Sequence, residues 1–127
     1  MRHLVSAMLV VVAIIHLMPL PGMLGSERLA SLYGHDFTEP DLELLMRHRA
    51  VLFGVLGTFL LVAAFRPEWQ PAAFVAAFVS VGSFLLLAWG GAHGPKVARV
   101  VAADVVALVC LVVGVAAYLT GRSGGRP

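Results

Sequence analysis
The sequence predicts an all-α membrane protein, a bundle of four transmembrane helices with a short surface helix between spans 1 and 2. Three observations carry this. Of 127 residues, 60% are apolar and 13% charged, more apolar side chain than a soluble domain of this size has polar surface to cover. The apolar residues fall in four long runs, near 4–18, 41–65, 71–89 and 96–119. The intervening segments hold most of the Pro, Gly and charged residues, as turns at a membrane surface do. Residues 1–120 then form one transmembrane domain and 121–127 a disordered tail.

The first run follows Arg2 and His3 and has the basic start and apolar middle of a secretory signal, but no small-x-small cleavage site follows. We read it as a retained span. Pro19 cannot donate to the carbonyl of Ile15, so helix 1 ends or kinks between His16 and Pro19, with His16 inside the broken turn. Ser26-Glu27-Arg28-Leu29-Ala30-Ser31-Leu32-Tyr33-Gly34 has the outline of a short capped helix on the membrane surface: Ser at the start, an acid in the first turn, Gly after the end.

Glu39-Pro40-Asp41 opens the second span, with Pro in the first turn and acids at the positive end of the helix dipole. Its length of roughly 25 residues, nearly 38 Å, exceeds the roughly 30 Å hydrocarbon layer, so its first turns emerge from the slab or line a cavity. Arg66-Pro67-Glu68-Trp69-Gln70-Pro71 is a tight connection at the opposite surface. In span 3, Ala72, Ala76, Ser80 and Ser83 form a small-residue seam, and Gly90-Gly91-Ala92-His93-Gly94-Pro95 ends it. Span 4 has a second seam at Ala103, Ala107, Cys110, Gly114 and Ala117, in which Cys110, the one cysteine, is a small packing residue. Trp69 and Tyr118 at one interface, and Trp89 and Tyr33 at the other, fit aromatic belts.

Up-and-down threading brings the polar residues of the spans to one end. Arg47, His48 and Arg49 lie early in span 2 and Asp104 early in span 4; His16 ends span 1, while Trp89 and the turn residue His93 end span 3. Charges at such depth are costly and must snorkel, pair or serve a site. By the 100° step, Arg47 shares the side of Ala50, Gly54 and Thr58, which makes it the inward cation and the expected partner of Asp104. His48 flanks it, whereas Arg49 points away, to snorkel or to meet a partner subunit. Arg99 lies about 140° from Asp104.

The chemistry of this cluster is that of a pocket for a small amphiphilic or anionic ligand. Arg47, Arg49, Arg99 and Trp89 are the candidate binding residues. His16, His48 and Asp104 are the candidate catalytic ones, His as a proton carrier near neutral pH and Asp as its electrostatic partner. No His-Glu-x-x-His or Cys-based ligand spacing is present, so no metal is assigned and the cofactor is left unknown. Two histidines on different spans leave a haem-ligating reading open. The net charge of +2 and the scattered basic residues give no nucleic-acid footprint; the partners expected are the lipid bilayer and, through the seams, further copies in a homo-oligomer. Two other functions fit the same residues: a non-catalytic membrane assembly factor using its seams, and a small oligomeric transporter in which Asp104 titrates.

The block Leu45-Met46-Arg47-His48-Arg49-Ala50-Val51-Leu52-Phe53-Gly54-Val55-Leu56-Gly57, with Leu32-Tyr33-Gly34 before it and Ala103-Asp104-Val105-Val106-Ala107-Leu108 after it, resembles an uncharacterised family of small bacterial four-span membrane proteins. Its members often carry the label phosphopantetheine adenylyltransferase. The soluble enzyme of that name has a His-x-Gly-His phosphate motif, which Tyr33-Gly34-His35-Asp36 is not. The family implies no catalytic residues to carry over. A looser likeness, to DoxX-type four-helix proteins, rests on span number. The resemblance implies a bacterial inner membrane. The loop cations Arg2, Arg66, Arg122 and Arg126, set against Arg28 and Lys96 once the helix-borne arginines are assigned to a site, put both termini in the cytoplasm.

Overall fold
The computed structural model describes residues 2–124, the side chains of 122–124 excepted. Five α-helices follow one another: α1 (Arg2–Leu17), α2 (Ser26–Tyr33), α3 (Pro40–Ala63), α4 (Gln70–Ala88) and α5 (Pro95–Gly124). Two 3-10 turns, Leu20–Leu24 and Pro67–Trp69, precede α2 and α4. Four segments are long and apolar enough to cross a membrane: Arg2–Leu24, Pro40–Ala63, Pro67–Ala88 and Pro95–Gly121. The all-α four-span bundle is thus the fold, and the protein is a multi-pass membrane protein.

Local chemistry sets the helix ends. Pro19 stops α1 and leads into the 3-10 turn Leu20–Leu24. Gly34, in the left-handed region at φ 74°, ends α2. Glu39 caps α3 with its own carboxylate, accepting from the backbone N–H of Asp41 at 3.2 Å and of Leu42 at 2.8 Å, with Pro40 as the first helical residue. His93 folds back to donate to the Ala88 carbonyl at the end of α4, at 3.2 Å. The helix α5 continues through residues 121–124, the start of the expected tail, and 125–127 lie outside the described residues.

The bundle is built around α1, which packs against both α3 and α5; α4 lies mainly against α5 and touches α3 thinly. Buried stripes run down the helices at 3.6-residue periodicity: Val5, Leu9, Val12 and His16 on α1; Ala50, Gly54, Gly57 and Leu60 on α3; Asp104, Ala107, Leu111 and Gly114 on α5. Of the expected α5 seam, Ala107, Gly114 and Ala117 are buried, and Ala103 and Cys110 are half-buried at the stripe's edge. The α4 seam is displaced by one residue from the expected Ala72, Ala76, Ser80 and Ser83. Ala73, Ala77 and Val81 are buried there with Phe74, and Ala72 and Ser83 are exposed. Tyr33 is not a belt residue either: it is buried with Leu29 and Phe37, where α2 folds back onto the bundle.

Candidate functional site
Two of the buried stripes begin or end in a polar residue at the same end of the bundle. His16 closes the α1 stripe, and Asp104 opens that of α5. Asp104 stands nine residues after Pro95, and Arg49 nine after Pro40, so both lie roughly 13–14 Å into helices that start at one surface. They share a cavity of about 270 Å³. His16 and Pro19 form one wall, Ser31, Leu32 and Tyr33 of α2 another, Arg49 and Phe53 a third, and Lys96, Arg99, Val100, Ala103 and Asp104 of α5 the last. The break at Pro19 and the fold-back of α2 create this space.

Each polar side chain in the wall is held by chemistry specific to its position. His16 donates from Nδ1 to the Val12 carbonyl at 2.9 Å, which fixes the tautomer, because a carbonyl only accepts. Its Nε2 is then an acceptor and takes the Ser80 hydroxyl proton at 3.0 Å, while the ring packs 5.6 Å from that of Phe53. The carbonyl that His16 engages is thus Val12, not that of Ile15 freed by Pro19. Arg49 donates from Nη1 to the Tyr33 hydroxyl at 2.6 Å, and its guanidinium lies over Phe53 at 4.5 Å and between Tyr33 and Phe84 at 5.5 and 5.8 Å. Cation–π contact with three rings compensates a guanidinium at that depth. Asp104 makes no hydrogen bond among the described residues, is 9% exposed, and turns its carboxylate to the cavity; Arg49 is the cation whose charge acts on it. Lys96, at the mouth, donates to the Ser31 carbonyl at 2.8 Å, and Arg99 is exposed beside it.

The arrangement reverses the expected placement of the two arginines. Arg47 is exposed, outside the cavity wall, and its Nε donates to the Met23 carbonyl at 2.8 Å, so the expected Arg47–Asp104 pair does not form. The small-residue side of α3 that Arg47 shares is filled by the end of the first span: a Cβ at Gly54 would come within 2.5 Å of Leu20, and one at Gly57 within 2.8 Å of Leu17. Close helix approach was the right inference from those glycines, but the space is taken by packing and leaves no pocket. Arg49, expected to face outward, turns to the cavity on the other flank. His48 is exposed and outside the wall, and so is Trp89, at 86% exposure. The contribution of α4 is instead Ser80, which the sequence presents as a packing residue.

Of the residues singled out, the structure brings together His16, Arg49, Arg99 and Asp104, and separates Arg47, His48 and Trp89 from them. The residues missed are Tyr33, Ser80, Phe53 and Lys96. The i, i+4 pair Leu29 and Tyr33 marked a buried α2 face that signals the first; nothing in the sequence distinguished Ser80 from Ser83. Among the described residues no group of three or more His, Cys, Asp or Glu converges as a metal site would. No family model, curated protein or solved structure matches the chain.

Chemically, the cavity offers three cations, one open carboxylate and one imidazole of fixed tautomer in an otherwise apolar wall. Such a set holds an oxyanion and, at Asp104, a hydrogen-bond donor of the same ligand.

Proposed function
We propose that this protein binds a small anionic or amphiphilic ligand within the membrane, in the cavity between α1, α2, α3 and α5, and that it resides in a bacterial cell membrane with both termini cytoplasmic. Arg49 is the anion anchor, with Lys96 and Arg99 attracting the ligand at the mouth. Asp104 accepts a hydrogen bond from it, and His16 can take up a proton at Nε2 once the Ser80 hydroxyl turns away. The observation that carries the reading is the matched depth of Arg49 and Asp104, which face one cavity without a salt bridge: among the described residues the one ion pair within 4 Å joins Arg66 and Glu68 at 3.7 Å, on the opposite surface. A pair placed to neutralise itself would close that gap; an open carboxylate beside a held guanidinium suits a third party.

Native mass spectrometry of the protein released gently from detergent tests this. A defined adduct on the wild type should be lost in Arg49→Gln and in Asp104→Asn and kept in Arg47→Ala, with circular dichroism confirming that each variant is folded. Wild-type and variant spectra that are all free of adduct would sink the reading.

A further inference from the structure
The thin contact between α3 and α4 leaves a groove of about 320 Å³ that is separate from the cavity, lined by Leu52, Phe53, Leu56, Ser80, Phe84 and Leu87 together with Arg49 and Ser83. Three features tie it to the cavity. Arg49 and Phe53 line both spaces. Ser80, in the groove, is hydrogen-bonded to His16, in the cavity wall. Arg49 is the one charged residue in the groove's lining, and it sits at the groove's shallow end. The two helices run in opposite directions, so Leu56 and Ser80 mark the deep end, and Arg49 and Leu87 the end nearer the cavity's surface. The seven residues from 49 to 56, or from 80 to 87, span roughly 10 Å. Leu52, Ser83 and Leu87 are exposed on the bundle's outside, where a membrane helix meets hydrocarbon.

We propose that this groove seats the hydrocarbon tail of a single-chain lipid whose oxyanion head lies on Arg49, at the partition between groove and cavity. The inference rests on the cavity reading and names its ligand class. The tail follows the orientation of the surrounding lipid, pointing from Arg49 toward the bilayer centre. The space is the interstice of one helix pair, which fits one chain. The sole charge in it is a cation, of whose donors one is taken by Tyr33, leaving the others for a carboxylate or phosphate oxygen.

The test uses palmitate carrying a mid-chain diazirine, added to the full-length protein in phosphatidylcholine nanodiscs, with the labelled residues mapped by peptide mass spectrometry. Labelling should concentrate on Leu52, Leu56, Ser80 and Ser83, be displaced by unlabelled palmitate, and fall about tenfold in Arg49→Gln, the loss of one charge-assisted contact. Ser83→Trp fills the groove from an exposed position without touching the core, and should cut the labelling while Arg49 remains. Labelling confined to Tyr33 and Lys96 at the mouth and indifferent to Ser83→Trp, with the native adduct intact, would overturn the groove and leave the cavity reading standing. Labelling spread over Val75 and Val79 on the outer face of α4, unchanged in Arg49→Gln and accompanied by adduct-free spectra, would remove both.

Discussion

At position 16 an imidazole takes the place that an apolar side chain would fill in the stripe of Val5, Leu9 and Val12, and Asp104 does the same above Ala107 and Leu111. These two were legible in the sequence because a polar residue in register with an apolar stripe stands out, and a carboxylate too short to snorkel stands out more. The arginines were not legible. The 100° step favours Arg47 when it is taken from Gly54 and Thr58, but from the line through Ala50 and Gly57 the two arginines lie about 70° and 90° to either side, so the choice of reference residues decided the reading. Which one meets a cavity is decided by Leu17 and Leu20, which fill one flank and leave the other open. The His16–Ser80 bond crosses from α1 to α4, and its worth can be measured. A double-mutant cycle of His16→Leu and Ser80→Ala, read by unfolding in mixed micelles, should give a coupling of about 0.6 kcal/mol and no more than about 1.7, the range of interhelical hydrogen bonds in membranes. Zero coupling would mean that the bond does not join these helices.

At the scale of elements, helix ends and spans were readable from capping and length, since Pro40, Gly34 and Pro19 act through local sterics that tertiary contacts do not override. The face of α4 was not. Nearly every residue there is small or apolar, so a seam counted on small residues alone fell one position away from Ala73, Ala77 and Val81, where Phe74 also turns inward. Glycines on α3 and α4 test which contacts matter. Gly57→Val should destabilise the bundle by about 1–3 kcal/mol, because its Cβ would press on Leu17 and sit 3.2 Å from the Ala13 carbonyl, a backbone atom that cannot step aside. Gly54→Ala presses only on the flexible end of Leu20, so Leu20→Ala should recover most of its cost. Gly82→Ala meets nothing within 4 Å and should be neutral or stabilising by up to about 1 kcal/mol. Detergent unfolding curves of the four variants supply the comparison, and a Gly82→Ala as damaging as Gly57→Val would contradict the packing described.

For the whole molecule, the site's position makes orientation a functional question. The start of α1, the end of α5 and the Arg66 turn lie at one surface, to which the sequence assigns Arg2, Arg66, Arg122 and, past the described residues, Arg126; the cavity's surface has Arg28, Arg47, Arg49, Lys96 and Arg99. Counted whole, that is four cations against five. Arg49, Lys96 and Arg99, however, stand on the spans themselves and line the cavity, and removing them leaves Arg28 and Arg47, two against four. The rule counts cations that flank spans in short loops, and the first span usually dominates, here with Arg2 ahead of it. That count is what supports the proposed orientation, in which both termini are cytoplasmic and the cavity's mouth faces the other side of the membrane. A green fluorescent protein fused after residue 127 should fluoresce, and an alkaline phosphatase inserted at Gly91 should be active. Active phosphatase at the C-terminus would invert the molecule. Lys96 and Arg99 would then draw their anion from the cytoplasm, and the α3–α4 groove would open into the inner leaflet instead of the outer one.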